Sequence, residues 1–171
     1  FIEQAYEKGA IACLIPEDYI PKTNKMIFLK SSNIRKDTAL LAANFYNKQP
    51  EKIVAVTGTN GKTSTVNYCR QIWENLKKEA ASIGTLGIIT KDFSQYGSMT
   101  TPDSITLHQE INTLTDNGIK ILAFEASSHG IEQNRIDGIR ITAAGFTNIT
   151  RDHLDYHKTI ENYAAAKQIL F

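Results

Sequence analysis

No run of the sequence is apolar for long enough to cross a bilayer. No charged stretch followed by an apolar one opens it, as a secretory signal would. Charge of neither sign dominates: 19 Lys and Arg against 18 Asp and Glu leave a net charge of +1. That gives no electrostatic footprint for nucleic acid or for an anionic membrane. Cysteine is scarce. Cys13 and Cys69 lie far apart, share no CxxC spacing and sit in apolar stretches. Free thiols in a reducing cytoplasm fit that pattern better than a disulfide, which nothing demands. Internal repeats and low-complexity stretches are also missing.

What is present is a globular composition, 42% apolar over 171 residues. This is enough for one ordinary domain, or one domain plus a fragment. Phe1 stands within FIEQAYEKGA, a helix already under way, and the chain stops at QILF inside another helical pattern. Both ends look cut, so a piece of a longer protein is expected.

Residues 1–9 read as a helix ending near Gly9. Residues 10–15 and 26–29 read as short strands. Residues 34–46 carry Ala39, Leu40, Ala43 and Tyr46 at helical spacing, with Asp37 near the start. Residues 47–50 break the pattern and mark a domain boundary. Beyond it strands and helices alternate. Residues 53–56 form a buried-type strand, and a helix after Lys62 places Val66, Cys69, Ile72, Trp73 and Leu76 on one face. SIGTLGIIT supplies another strand. Thr101-Pro102-Asp103 starts a helix with proline in its first turn, Leu107, Ile111 and Leu114 continue it, and Asn117-Gly118 ends it. Residues 121–125 and 141–148 are further strands. The alternation predicts a mostly parallel α/β sheet with helices on both faces.

The strongest motif is VTGTNGKTS, residues 56–64, between a buried strand and an amphipathic helix. Phosphate loops occupy this position: small residues let backbone N–H groups wrap phosphate oxygens, and the helix start adds partial positive charge. Lys62 is expected to reach the outer phosphates of ATP, and the Thr63 hydroxyl to bind Mg²⁺. The general pattern GxxxxGK[ST] has glycine where this chain has Val56; its glycines are Gly58 and Gly61. An ordinary glycine-rich turn with a surface lysine is the bland alternative. His153 and His157, with Asp152 and Asp155, suggest zinc only weakly, because HExxH needs glutamate where Leu154 stands.

TGTNGKT resembles the ATP loop of the Mur ligases and their folylpolyglutamate synthetase relatives. TTPDS (residues 100–104), EASSHGIEQNRIDG (125–138), FTNITRDHLDYH (146–157) and YAAAKQILF (163–171) narrow the resemblance to the UDP-N-acetylmuramoyl-tripeptide synthetases. The resemblance implies that residues 1–45 end a UDP-binding N-terminal domain and that residues 46–171 begin a central ATP-binding ligase domain. On this resemblance the amino-acid-binding C-terminal domain is expected to be absent from these residues. It implies a cytoplasmic, monomeric ligase of cell-wall synthesis, free of nucleic acid and membrane partners. In that family ATP phosphorylates the carboxylate of UDP-MurNAc-L-Ala-D-Glu, and the amine of a diamino acid displaces the phosphate. L-Lysine and meso-diaminopimelate both remain open, with diaminopimelate the commoner. A folylpolyglutamate synthetase and a non-catalytic ATP-binding module are the competing readings.

The resemblance assigns ATP binding to Gly58, Thr59, Asn60, Gly61, Lys62, Thr63 and Ser64. It gives the UDP-sugar-peptide to Thr100, Thr101, Ser127, Gln133 and Arg135. Thr63, Glu125, His153 and Lys167 become Mg²⁺ ligands, Lys167 after carbamylation by CO₂. Lys62, Glu125, His153 and Lys167 form the catalytic set. Read from the residues alone, Glu125 is an exposed strand-end acid, Arg135 a surface arginine, the two threonines helix caps, His157 a turn or cap residue and Lys167 a solvent-facing lysine.

Overall fold

A computed structural model describes residues 1–97 and 99–171. Helix α1 (Ile2–Glu7) gives way to a left-handed turn at Gly9, φ +92°. Strands β1 (Ala12–Pro16) and β2 (Ile27–Ser31) pair in parallel, Ala12 opposite Ile27 and Pro16 opposite Ser31. Helix α2 (Ile34–Phe45) starts at Asn33, whose side chain accepts the Lys36 N–H. Its buried residues are Ala39 and Ala42, whereas Leu40 is exposed.

The remaining elements are β3 (Lys52–Thr57), α3 (Lys62–Asn75), β4 (Ala80–Gly84), β5 (Gly87–Thr90), β6 (Ser94–Gln95), α4 (Ser104–Asp116), β7 (Ile121–Glu125), α5 (Ser128–Glu132), β8 (Ala143–Phe146), α6 (Leu154–His157) and α7 (Ile160–Gln168). They form a six-stranded sheet in the order β6-β5-β4-β7-β3-β8. The run from β4 to β8 is parallel, and β5 and β6 join it antiparallel.

Alternation along the strands divides the core. Ile53, Ala55, Ile83, Leu122 and Phe124 face α4, where Leu107, Ile111 and Leu114 meet them. Val54, Val56 and Ala123 face α3, against Val66, Cys69 and Trp73. Each fully buried Leu, Ile or Phe in these layers contributes about 1.5–3 kcal/mol of transfer free energy. The mostly parallel sheet with helices on both faces therefore stands as the sequence predicts.

Three local expectations change. SIGTLGIIT is two strands, not one: β4 and β5 form a hairpin in which Gly87 takes φ +83° and packs on the 95–97 backbone, leaving no room for a Cβ. Pro102 precedes the α4 cap instead of entering the first turn, because Asp103 takes the cap and accepts the N–H groups of Ile105 and Thr106. On α3, Ile72 and Leu76 are 57% and 63% exposed. Arg70 is buried in their place, paired with Glu74 at 2.6 Å.

Helix α2 packs on α4. The 47–50 segment is held down there: the Lys48 N–H donates to Asn112, Lys48 pairs with Asp116, and Gln49 bridges the Gly138 carbonyl and the Arg140 N–H. Among the described residues no helix is long and apolar enough to cross a membrane. The parallel strands bring Thr57, Gly84, Glu125 and Phe146 to one edge of the sheet, where open α/β sheets hold their ligands.

Candidate functional site

The loop between β3 and α3 is shaped from behind. Gly58 has φ +142°, and a Cβ there would collide with Thr147 Oγ1. Thr147 Oγ1 donates to the Asn60 carbonyl at 2.7 Å. Asn148 accepts the Thr59 N–H on its carbonyl at 2.9 Å and the Asn60 N–H on Oδ1 at 3.1 Å. Thr59 Oγ1 takes the Thr150 N–H at 3.0 Å and lies 3.3 Å from the Tyr163 hydroxyl. The Thr59 and Asn60 amides thus set the loop's shape and do not point at a phosphate. The donors left for an anion are the first amides of α3, at Gly61, Lys62, Thr63 and Ser64, which have no intrahelical acceptor. Gly61 opens that helix at φ +83°.

Two lysines meet on one carbonyl. Lys62 Nζ donates to Gly58 O and Thr59 O, both at 2.8 Å, and Lys167 Nζ donates to Gly58 O at 2.9 Å. Lys167 is 1% exposed and sits 4.3 Å from the centre of the Tyr163 ring. Burial pulls the Lys62 pKa below its usual value, opposed by Glu125 and Asp152. Burial, with the neighbouring Lys62 charge, takes Lys167 down to about 8 against an opposing Asp152. The solvent-facing reading of Lys167 is therefore overturned: Gly58, on the far side of the sequence, covers it.

Glu125 ends β7 at 2% exposure, so the exposed-acid reading also fails. Its Oε1 accepts the Thr85 N–H at 2.8 Å and its Oε2 the Thr85 hydroxyl at 3.2 Å. Thr85 Oγ1 lies 3.0 Å from Thr100 Oγ1. Thr101 is buried, 2.8 Å from the Glu125 carbonyl and 3.0 Å from Ser127 Oγ, and accepts the Ser127 N–H at 2.9 Å. It caps no helix. Arg135 donates to the Thr101 carbonyl at 2.7 Å and to Gln133 Oε1 through Nε and Nη2. Thr100, Thr101, Ser127, Gln133 and Arg135 thus belong to one network joined to Glu125.

The histidines lie beside it. His153 is exposed, takes φ +52°, stands 3.7 Å from Asp152 and packs edge-on against His129 at 5.0 Å. His157 is buried, with Nε2 2.9 Å from Ser128 Oγ and Nδ1 3.6 Å from Glu132. Burial holds its pKa down.

A model of the Mur ligase middle domain matches residues 56–171. The chain belongs to that family. It is 50% identical over its full length to the UDP-N-acetylmuramoyl-L-alanyl-D-glutamate–2,6-diaminopimelate ligase of Bradyrhizobium diazoefficiens, covering 35% of that protein. It is 48% identical to the ligase of the same name from Caulobacter vibrioides, covering 36%. A solved structure of such a ligase superimposes with a TM-score of 0.84 at 30% identity, over 98% of this chain and 34% of that one. The chain spans about a third of the length of the curated relatives it matches.

The donor chemistry of this Mur ligase middle domain suits Mg²⁺ in part. Glu125 is a buried carboxylate that, among the described residues, accepts hydrogen bonds only from Thr85, and Thr63 offers a hydroxyl in the first turn of α3. Mg²⁺ is ordinarily held by one or two carboxylates together with substrate phosphates, not by an all-protein cage. Among the described residues no three His, Cys, Asp or Glu side chains are grouped to hold an ion. Lys167 as an ammonium cannot ligate a metal.

Sequence reasoning did not find Thr85, Thr147, Asn148, His129 or the His157–Ser128 pair. Only FTN at a strand end and the SSH triplet hinted at them, since ligand-facing residues of α/β folds gather at strand ends. Gly84 is a further case: a Cβ there would collide with Glu125 Oε1. Gly84→Ala should displace that carboxylate. On the expectation that Glu125 is a Mg²⁺ ligand, the signature is a loss of activity of about 10-fold or more in the full-length protein, as for a misplaced group, with the apparent affinity for Mg²⁺ reduced. Titrating Mg²⁺ in the activity assay of the variant checks this, and an unchanged Mg²⁺ dependence refutes it.

Proposed function

We propose that the chain is the nucleotide-binding part of an ATP-dependent amide ligase that adds meso-diaminopimelate to UDP-MurNAc-L-Ala-D-Glu, through an acyl phosphate, in peptidoglycan precursor synthesis. The observation that carries this is the convergence of the Lys62–Gly58–Lys167 cluster and the Glu125–Thr101–Arg135 network on one edge of the sheet. The names of the relatives supply the substrate.

The chemistry requires two anions to meet, so the site must concentrate positive charge. ATP lies along the start of α3, with Gly58, Thr59, Asn60 and Gly61 shaping the loop and Lys62, Thr63 and Ser64 facing the phosphates. Lys62 leaves its two carbonyls for the transferring phosphoryl group. Thr100, Ser127, Gln133 and Arg135 hold the UDP-sugar-peptide, with the buried Thr101 positioning Ser127 and Arg135; the Arg135 fork leaves Gln133 Oε1 for a carboxylate or phosphate. Glu125 and Thr63 hold one Mg²⁺, and His153 with carbamylated Lys167 a second; the ions supply neutralisation of phosphate charge. The substrate carboxylate takes the phosphoryl group, the amine of the diamino acid attacks the acyl carbon, and phosphate leaves from the tetrahedral intermediate. In this reading residues 1–45 close a UDP-binding domain, residues 46–171 begin the ATP-binding domain, and a further domain brings the amine. The enzyme is cytoplasmic and monomeric.

The test is product formation by the full-length protein with Mg·ATP and UDP-MurNAc-L-Ala-D-Glu. Tripeptide with meso-diaminopimelate and little with L-lysine is expected. A preference for L-lysine moves the specificity, extension of folate moves the family branch, and ATP binding without product with any acceptor leaves a non-catalytic module. The 171-residue chain alone is expected to give no tripeptide, because positioning of the amine supplies up to about 7–11 kcal/mol of such a barrier.

A further inference from the structure

At the other end of the sheet, a cavity of about 630 Å³ lies between α4 and the β5–β6 hairpin, beside the start of β4. Its volume is that of sites enclosing small organic molecules. No residue of the nucleotide loop or of the Glu125 network lines it. Ile88, Phe93, Leu114 and Ile119 give it an apolar surface.

Glu110 is the group that does not belong in such a place. It projects from α4 between the buried Leu107 and Leu114, and its Oε2 is buried with no hydrogen-bond partner among the described residues. Desolvation, with the Asp103 charge adding to it, raises its carboxyl to about 7. The other charged groups around the cavity are Lys78 and Glu79 before β4, and Lys91 and Asp92 in the hairpin turn. They are balanced in sign, and none forms an ion pair with Glu110 among the described residues. A half-buried carboxylate with one oxygen left unpaired is unfavourable, and a cation entering beside it relieves that penalty.

We infer that this cavity is a second small-molecule site that takes an organic amine, its apolar body against Ile88, Phe93, Leu114 and Ile119 and its ammonium on Glu110. Anions are excluded by the same carboxylate. The ammonium requires ionised Glu110, so affinity rises with pH through about 7 and levels off above it.

The probe is phenethylamine, added to the full-length protein and followed by methyl NMR of Ile88, Leu114 and Ile119. Saturable shifts are expected at about pH 8.5, with binding weaker by about 10-fold near pH 6 and in Glu110→Gln. Phenethyl alcohol, equal in body but uncharged, should bind about 10-fold more weakly, and phenylpropionate not at all. Glu110→Gln keeps the shape and removes the unpaired charge. A carboxyl with a raised folded pKa costs stability only as pH climbs from its ordinary 4.5 to about 7. The variant should therefore gain thermal stability near pH 8 and little near pH 5. Equal binding of amine and alcohol, undiminished binding in Glu110→Gln, or no methyl shifts with any probe overturns the assignment and leaves a hydrated cleft.

Discussion

Lys62→Ala in the full-length ligase is expected to abolish acyl-phosphate formation while the chain stays folded. The two effects separate because the loop does not depend on Lys62 for its shape. Thr147 and Asn148 hold Asn60 and Thr59, Thr150 and Tyr163 hold the Thr59 hydroxyl, and Gly58 closes against Thr147. What Lys62 adds to the fold is two bonds to carbonyls, each a net contribution of about 0.5–1.5 kcal/mol, offset by the desolvation of a half-buried ammonium. In the proposed reaction it would add a full charge at the transferring phosphoryl group. Removing a single neutral donor from a developing charge costs on the order of 10²–10³ in rate. Losing a cation there should cost at least about 10³. The step is isolated by omitting the diamino acid and trapping the acyl phosphate with hydroxylamine. Hydroxamate should fall to background in the variant while its thermal midpoint stays near wild type. An unchanged yield would remove Lys62 from the phosphoryl transfer and the nucleotide loop from the proposed site.

Legibility in the sequence followed the range of the interactions. Helix α4 was readable because its signals are local: Leu107, Ile111 and Leu114 one turn apart and Gly118 at φ +87° to end it, although its cap fell on Asp103 and left Pro102 outside. The strand, glycine-rich turn and helix at residues 52–75 were readable for the same reason, being contiguous. The β4–β5 hairpin was not, because Gly87 reports its turn only through the 95–97 backbone that packs on it. Periodicity on α3 placed Ile72 and Leu76 inward, but the sheet surface offered to that helix reaches only Val66, Cys69 and Trp73. The clamp from Thr147 and Asn148 crosses nearly 90 positions. Lys167 is the extreme case. Its helix looks alanine-rich and ordinary, and the carbonyl that accepts its hydrogen bond lies 109 residues earlier. Only the resemblance to the Mur ligases singled it out.

That burial makes Lys167 the sharper test. Carbamylation joins a neutral amine to CO₂, forming an N–C bond and releasing one proton, and it exchanges a cation for an anion. An amine whose pKa falls from 10.5 to about 8 carries on the order of 100 times more neutral form near neutral pH. The structural cause is burial beside Lys62, since keeping both amines protonated on one carbonyl is unfavourable. The linkage has a definite sign. A lysine with a depressed folded pKa costs stability below about 8 and ceases to do so as pH climbs toward 10.5. Carbamylation turns the repulsion from Lys62 into attraction, while the buried group still carries a charge that needs partners. Lys167→Ala in the full-length ligase should therefore lose activity by on the order of 10³, as for the loss of a charge-stabilising group, and regain part of it with added formate or acetate at the vacated position. Lys167→Arg keeps a cation that is protonated at every working pH, cannot take up CO₂, and should be inactive with or without added carboxylate. Tripeptide formation with and without formate, across both variants, decides it. Near-normal activity of Lys167→Arg would show that a cation on Gly58 is all the position requires, and the carbamate would have no place in the mechanism.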